Sequence, residues 1–392
     1  DGGFVEVSGK QHLAFDGTVN VSASNGYAGT VLLDPQDLTI VASGGANNGE
    51  VGAADGTVLF ADPALGTDIT IDSSAIEAIT GNIDLQADRD LIINDPLNLA
   101  NQTGGETVSF RAGNDLSINF AVETDGATLS FTADDASSTN FNAGTGTLTI
   151  GAAVGDANTG AVTFNNDGSG GIALNNSVTS SSTIDFNTAV TLGVGDITVT
   201  GGDNISFTSI TGPFDLALNT GGVGTITATG AVTNIGDGVG VAIFIDNATT
   251  GLVNFQGVLS ANSGIEAGAD TSVQINGDVS LADGDTATDL AGNVTLDGLN
   301  WSSFDGITFG ALTLSNGAVS LSSNGGDIDV TTINGGSQDL TIAAGTAAGT
   351  TRVTGAVSGL GDTLGAALTV ANGVTGLVRF DSTVSGNSGI FA

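Results

Sequence analysis

The sequence lacks cysteine and methionine entirely, and only five of its 392 residues are lysine or arginine. Without cysteine there is no disulfide scaffold, no thiolate nucleophile and no cysteine-based zinc site. Five cations against 42 acidic residues give a net charge of −37. Because nucleic acids and anionic membranes are bound through basic surfaces, we expect no nucleic-acid partner and no electrostatic attraction to a membrane.

Long apolar runs are also missing: the longest, Val241 to Ile245, has five residues. A segment this short cannot span a bilayer, so we expect no membrane insertion. Disorder does not fit either, because 40% of the residues are hydrophobic and the mean hydropathy is +0.26. Since no methionine is present, we also expect the chain to be a processed product or part of a longer protein.

The acidic residues have an unusual composition, with 36 aspartates and only six glutamates. Aspartate competes with the helical backbone for hydrogen bonds and prefers caps and turns. Together with 62 glycines and many asparagines, it indicates a chain with many turns. We therefore expect few helices and many short strands.

The apolar residues alternate with polar ones at a period of two, which is typical of strands with one buried face. The alternating segments begin at Ile83, Val108, Leu129, Leu148, Ile184, Ile197, Ile205 and Leu216. Their spacing is 25, 21 and 19 residues among the first four and 13, 8 and 11 among the last four. Two or more strands per coil of about 20 residues account for both sets. A sandwich or barrel also has regular short strands, but it does not need 392 residues of one composition.

A direct internal repeat supports a stacked architecture. Residues 230–267 align without a gap with residues 355–392 at an offset of 125, and half of the 38 positions are identical. This offset corresponds to about six coils of 20 to 21 residues. The second copy stops where the first continues, so we expect further chain or another subunit to follow.

The predicted fold is all-β, a right-handed parallel β-helix (solenoid) with about 20 residues per coil, continuous over residues 1–392. Isoleucine, valine, leucine and most of the 17 phenylalanines are expected to stack in columns inside it. Glycine and asparagine are expected at the corners, where the backbone needs left-handed conformations.

The first 40 residues resemble a known family. The matching elements are Gly3 to Gly9 (GFVEVSG), Phe15 to Gly17 (FDG) and Gly29 to Pro35 (GTVLLDP). They resemble the segment that follows the secretion domain in filamentous-haemagglutinin-like exoproteins of two-partner secretion systems. The resemblance implies a β-helical shaft of a large protein, secreted or held on the surface of a Gram-negative bacterium, with a role in adhesion or surface structure.

Catalytic candidates are few. His12 is the only histidine, and nothing around it resembles a nucleophile elbow. Paired carboxylates such as Asp134–Asp135, Asp88 with Asp90, or Asp203 near Asp196 could hydrolyse glycosides, but aspartate is so common here that turn residues are the simpler interpretation. We therefore expect a chain that is not an enzyme.

Calcium is the more plausible chemistry. Asp283, Asp285 and Asp289 lie close together in DGDTATD, and carboxylates suit this hard cation. The EF-hand pattern fails, since its fifth position is Ala287 and no glutamate closes the loop. A solvated acidic turn is the alternative interpretation, and we expect no other cofactor.

Among the remaining special residues, Trp301 could stack on a sugar but is more simply a core or corner residue, and Tyr27 is the only tyrosine. Arg89, between Asp88 and Asp90, suggests local charge balance, and Arg379 replaces Asn254 of the first repeat.

Three functions remain open. The first is an extracellular structural and adhesive β-helical shaft. The second is the repeating subunit of a matrix or surface filament, assembled end to end. The third is a polysaccharide-binding or polysaccharide-degrading β-helix protein. The expected partners are like subunits or further repeats at both ends, and host or cell-surface glycans or matrix.

Overall fold

The computed structural model describes residues 2–8, 19–23, 26–34, 37–44, 68–138, 144–282, 285–344, 349–371 and 376–391. The chain divides into two units, Asp1–Val194 and Gly195–Ala392, which we call the N-terminal and C-terminal units. In the described ranges the regular structure is β-strand, apart from one five-residue helix. None of the helical structure in these ranges is long and apolar enough to cross a membrane.

Within its described ranges the N-terminal unit has 17 strands and the helix α1 (Ser73–Glu77). In chain order its strands are β1 (Phe4–Ser8), β2 (Thr30–Asp34), β3 (Asp37–Val41), β4 (Asp68–Asp72), β5 (Asn82–Ala87), β6 (Leu91–Ile93), β7 (Leu97–Thr103), β8 (Thr107–Ala112), β9 (Leu116–Ile118), β10 (Val122–Asp125), β11 (Thr128–Ala133), β12 (Leu148–Ile150), β13 (Val162–Asn166), β14 (Ile172–Leu174), β15 (Val178–Ser180), β16 (Ile184–Phe186) and β17 (Val190–Leu192).

These strands stack in parallel columns. One column contains β1, β2, β5, β8, β11, β13 and β16, and a second contains β4, β3, β6, β9, β12, β14 and β17. A shorter third column runs from β7 to β10 and through a bridge at Val154 to β15. In the described ranges these strand ladders are parallel, as expected when each coil pairs with the next, and one isolated bridge, between Thr103 and Gly126, is antiparallel.

Phenylalanine forms the clearest inward stack of this unit. Phe110, Phe131, Phe164 and Phe186 face one another across β8, β11, β13 and β16. Their ring centroids are 5.0, 5.4 and 4.9 Å apart, and the rings lie within 16° of parallel. All four side chains are buried. Burial of large rings and their offset stacking both stabilise the coils.

The described part of the C-terminal unit has 24 strands. They are β18 (Ile197–Gly201), β19 (Ile205–Phe207), β20 (Ile210–Thr211), β21 (Leu216–Asn219), β22 (Ile226–Ala228), β23 (Val232–Ile235), β24 (Ile243–Ile245), β25 (Leu252–Phe255), β26 (Leu259–Ala261), β27 (Ile265–Ala267), β28 (Ser272–Ile275), β29 (Val279–Leu281), β30 (Thr288–Asp297), β31 (Asn300–Ser303), β32 (Ile307–Ser315), β33 (Val319–Ser323), β34 (Ile328–Asn334), β35 (Leu340–Ala344), β36 (Thr351–Val353), β37 (Val357–Leu360), β38 (Ala366–Val370), β39 (Val378–Phe380), β40 (Val384–Gly386) and β41 (Gly389–Phe391).

Three parallel columns run through the C-terminal unit. Column 1 contains β18, β21, β24, β27, β30, β32, β34, β36 and β39. Column 2 contains β19, β22, β25, β28, β30, β32, β34, β37 and β40, since the long strands β30, β32 and β34 pass through both columns. Column 3 contains β20, β23, β26, β29, β31, β33, β35, β38 and β41. Each turn of the coil therefore has three sides.

The predicted all-β parallel β-solenoid is confirmed in both units, and a turn takes about 22 residues rather than 20. The right-handed sense of the coil and its continuity over residues 1–392 stay predictions. The predicted alternation is also confirmed, because the apolar positions of the alternating segments that begin at Ile83, Val108 and Leu129 are buried. Leu148 is not the next member of that series: it lies in the second column, and Leu129 pairs with Val162.

The corners use the predicted left-handed backbone. At the corners, Asn316 has a φ of 52° and many glycines have positive φ, and Asn234 reaches 56° inside β23, where the pairing with β26 shifts register. Asp134, Ser337 and Thr363 also adopt positive φ. A side chain with a Cβ is disfavoured in this region, and asparagine and aspartate tolerate it best.

The two copies of the internal repeat fold alike but occupy different columns. Strands β23 to β27 of the first copy lie in columns 3, 1, 2, 3 and 1, whereas β37 to β41 of the second lie in columns 2, 3, 1, 2 and 3. From β23 to β37 the chain completes five turns and two further sides, which accounts for the offset of 125 at about 22 residues per turn. The offset was predicted to be about six coils of 20 to 21 residues; it is five turns and two sides, because the coil is longer than predicted.

Candidate functional site

The outer surface of column 1 carries most of the strand-borne charge of the C-terminal unit. Its outward residues form the row Thr198, Ala217, Phe244, Glu266, Asp289, Thr308, Asp329, Arg352 and Arg379. Glu266 lies opposite Asp289, so two like charges are neighbours, whereas Asp329 lies opposite Arg352. Burial raises the pKa of Asp329, Asp327 raises it further, and Arg352 opposes both effects. We call these nine residues the charged row.

The two arginines of the charged row share one carboxylate. The Arg352 Nε donates to Asp381 Oδ2 at 2.8 Å, and the Arg379 Nε donates to Asp381 Oδ1. The hydrogen bond from Arg352, together with that from Arg379, lowers the pKa of Asp381. Because all three side chains are at the surface, these ion pairs contribute little to stability.

Column 2 presents a different outer surface. Eight outward residues lie in unbroken register on consecutive strands, and none is charged: Ser206, Thr227, Asn254, Gln274, Thr295, Thr313, Asn334 and Ser358. All eight are half-buried or exposed. We call this set the uncharged row. Two residues earlier on five of the same strands, a second line contains Leu252, Ser272, Asn293, Ala311 and Thr332, also without charge.

Column 3 has a row of small hydroxyl side chains. Ser260, Ser280, Ser302 and Ser322 are in register, and Ala343 follows them. Some of these hydroxyls serve the fold: Ser322 Oγ donates to the Trp301 carbonyl at 3.1 Å, and the Asn234 N–H donates to Ser260 Oγ at 3.1 Å.

Of the three residues predicted to bind calcium, Asp283 lies outside the described residues. Asp285 is exposed at a corner and accepts a 2.7 Å hydrogen bond from the Gly240 N–H. Asp289 is exposed in the charged row, next to Glu266. In the described ranges no three acidic or histidine side chains are grouped to hold a metal ion. Calcium binding by these aspartates therefore stays a prediction.

Three other aspartates of the C-terminal unit do influence one another. The Asp215 N–H donates to Asp196 Oδ1 at 3.3 Å, and Asp237 lies on the neighbouring turn. Burial raises the pKa of Asp215 to about 6, and the negative charges of Asp196 and Asp237 add to the effect. The Oδ1 atom of Asp215 is buried and has no hydrogen-bond partner. A negative charge on this carboxyl group at neutral pH therefore destabilises the folded state.

The N-terminal unit has a small polar cleft of about 160 Å³, lined by Asn98, Ala100, Glu123, Thr124, Asp125, Asp156 and Asn158. Three carboxylates face it, but Asp156 already accepts hydrogen bonds from the Asn158 and Thr159 N–H groups, at 2.9 and 2.8 Å. Burial raises the pKa of Asp156, but these hydrogen bonds outweigh it and lower the pKa. This aspartate shapes the turn and does not have the raised pKa of a general acid.

The Asp134–Asp135 pair noted in the sequence has structural partners. Asp134 is buried, and its side chain accepts the N–H groups of Gly144 and Gly146, each at 3.1 Å. Asp135 accepts from Arg111 at 2.6 Å. Burial raises the pKa of Asp135, but the hydrogen bonds from Arg111 and Ser137 outweigh it and lower the pKa. Both residues follow β11 in a turn.

Other predicted residues are placed as follows. Trp301 is buried on β31 and meets Phe309 edge to face at 5.1 Å, so it is a core residue and not a sugar platform. Tyr27 is 86% exposed, and His12 lies outside the described residues. Arg89 contacts Asp37 through two nitrogens and lies 3.4 Å from Asp90. Its charge is therefore balanced mainly across coils, not by its chain neighbours.

Comparison with known proteins finds no family model, no curated protein and no solved structure that matches this chain. The class shown by the structure is thus the parallel β-solenoid repeat protein.

Sequence reasoning missed the uncharged row. The signal for it is the residue between two buried apolar positions in each strand, compared over successive coils. This comparison requires knowing which strands share a column. Because the turns differ in length, the sequence does not show that assignment.

Proposed function

We propose that the chain is an extracellular structural and adhesive β-helical shaft of a large secreted bacterial surface protein. The observation that carries the proposal is the repetition of parallel, apolar-centred coils in both units, with side chains such as the Phe110–Phe131 pair stacked between coils. In such a structure each coil is joined to the next through the main chain along the whole length, which suits a spacer or scaffold. The likeness of residues 1–40 to filamentous-haemagglutinin-like exoproteins supports a bacterial surface location and two-partner secretion.

The proposal includes the absence of catalysis. Asp156 of the polar cleft and both carboxylates of the Asp134–Asp135 turn are engaged in backbone hydrogen bonds or an ion pair, which supports a structural role for these three side chains.

Antibodies raised against this 392-residue chain would test the location. We expect them to label intact cells of the source bacterium or to detect the protein in its culture medium. Labelling only after the cells are opened would contradict the proposal. The mass of the native material provides a second readout, because a shaft of a large exoprotein should exceed the 38.1 kDa of this chain.

The filament alternative stays open as a second proposal. In the described residues β41 pairs with β38 alone, and its Ile390 and Phe391 are 61% and 58% exposed. An edge with unpaired backbone groups and apolar side chains accepts a further strand, from the same chain or from another copy. Electron micrographs of the purified chain would show end-to-end filaments under this alternative and separate particles under the shaft proposal.

A further inference from the structure

The inference starts from the contrast between the two outer rows of the C-terminal unit. Five of the nine residues of the charged row are acidic residues or arginines, whereas none of the eight residues of the uncharged row is. Acidic residues are abundant in this chain, and most of them lie in turns. A ligand placed on the uncharged row would therefore meet hydroxyl and amide groups, with carboxylates only at the margins.

The size of this surface limits what can bind there. Eight parallel strands at about 4.8 Å per step make the row roughly 34 Å long. The second line of residues lies two positions earlier on the strands, about 7 Å away. The two lines together cover on the order of 400 Å², whereas a standard protein interface needs about 800 Å² on each partner. A long, narrow surface of this kind fits an extended polymer better than a globular partner or a second copy of this chain.

Charge limits the polymer further. The chain carries −37, with carboxylates concentrated at the corners beside the strands. Nucleic acids and sulfated or uronic-acid polysaccharides would be repelled as they approached. A neutral polymer is not repelled by these carboxylates, and its binding does not bury an unpaired charge.

The chemistry of the row suits repeated hydroxyl groups. Serine, threonine, asparagine and glutamine side chains both donate and accept hydrogen bonds. They can therefore donate a hydrogen bond to a sugar hydroxyl or accept one from it. Leu252 and Ala311, in the second line, add apolar contacts for the C–H faces of a sugar. The repeated spacing of the strands would let successive sugar units meet equivalent groups.

From these observations we propose that the uncharged row, with its second line, is a binding track for a chain of neutral sugars. This inference deepens the proposed adhesive function by naming its ligand class. The location of the protein in the cell is tested separately, by the antibody experiment, so failure of one test does not decide the other.

The experiment is a pull-down of the full chain with insoluble polysaccharides. The neutral probes are cellulose, chitin, a (1→3)-β-glucan and cross-linked galactomannan, and the anionic probes are alginate gel and dextran sulfate beads. We expect retention on at least one neutral probe, unchanged when sodium chloride rises to about 0.5 M, since no ion pair is involved. Retention on no neutral probe, or on the anionic probes, overturns the proposal.

The critical variant places charges on the track. Thr295 and Thr313 lie opposite each other on β30 and β32, and the double change Thr295→Asp/Thr313→Asp should reduce retention at least tenfold. The matched control is Ser280→Asp/Ser302→Asp, which adds the same charge to an opposed pair in column 3 and should bind like the unchanged chain. Equal losses from both variants overturn the proposal.

Two further variants keep the test decisive. If Thr295→Asp/Thr313→Asp does not fold, Asn334→Asp/Ser358→Asp introduces the charges at exposed positions of the same row. Thr295→Ser/Thr313→Ser keeps the hydroxyls and should retain binding. A change in sedimentation coefficient with the aspartate variants, without polysaccharide retention by the unchanged chain, would identify the row as a contact between copies and contradict the proposal.

Discussion

Leu364 and Val239 are equivalent residues of the two repeat copies, 125 positions apart, yet the strands that follow their turns lie in different columns. Both side chains are exposed, at 74% and 70%, and both N–H groups are bound by the aspartate two residues before. The backbone is also matched: φ is 56° at Asn234 and 66° at Gly359. The sequence therefore determines the end of the strand and the turn after it locally, whichever side of the coil they join.

This local encoding leads to a prediction at Asn234. Asn234→Gly, which introduces the residue found at the equivalent position 359, should leave stability within about 0.5 kcal/mol of the unchanged chain. Asn234→Ala should cost about 1 kcal/mol, because alanine lacks a side chain that supports the left-handed conformation. Chemical denaturation of the three chains measures the difference, and equal midpoints for the alanine and glycine variants would refute it.

The phenylalanine stack gives a second prediction. Phe131 lies between Phe110 and Phe164 and is fully buried, so Phe131→Ala should destabilise the protein by about 3–5 kcal/mol through lost burial and a cavity. Phe120 is 42% exposed and provides the matched control. Phe120→Ala should change the free energy of unfolding by about 0.5 kcal/mol or less. Similar losses at both positions would show that the stack does not hold the coils together.

Asp215 makes stability depend on pH. Its folded pKa of about 6 exceeds the value of an unfolded aspartate, so the folded state binds the proton more tightly. The stabilising contribution of the protonated form is complete below about pH 4 and is lost as the pH rises through 6.

Asp215→Asn should therefore raise the melting temperature at pH 8 by about 1–2 °C, which corresponds to roughly 1 kcal/mol after allowing for solvent screening. At pH 4 the variant and the unchanged chain should melt together. Asp203→Asn removes the same charge from an exposed turn and is the control. A benefit that does not depend on pH, or that is equal in the control, would argue against the assignment.

Calcium binding is tested by thermal unfolding in different salts. If Asp283, Asp285 and Asp289 bind calcium, about 1 mM calcium should raise the melting temperature, while magnesium at the same concentration should not. Asp289→Asn should remove the shift. Equal effects of the two cations would instead indicate screening of a chain with a charge of −37.

The sequence correctly predicted the buried strand faces, which depend on alternation. It did not predict which strands share a column, which depends on turn length. The period-two segments beginning at Ile83, Val108 and Leu129 identified buried strand faces correctly, because side-chain direction follows directly from position along a strand. Leu148 was assigned to the same series because it follows Leu129 at a similar spacing. The residue that pairs with Leu129 is instead Val162. Turn lengths vary without changing the composition, so columns cannot be assigned from spacing alone.

The candidate site was less accessible to prediction for the same reason. Thr295 and Thr313 are neighbours only because β30 and β32 stack, and Arg89 meets Asp37 across 52 residues of chain. Each contact depends on the number of residues in the intervening corners. Trp301 was correctly interpreted as a core residue, since a large apolar ring beside strand residues is more often buried than exposed.

Distances between spin labels test the stacked coils most directly, and the absence of cysteine allows labels to be placed in pairs without background. Thr227 and Asn334 are separated by five steps along the uncharged row, and Ser206 and Ser358 by seven. Pulsed electron spin resonance on the two double-cysteine variants should give backbone separations of about 24 and 34 Å, a difference of two coil steps. Separations that do not increase by about 10 Å from the first pair to the second would contradict the solenoid.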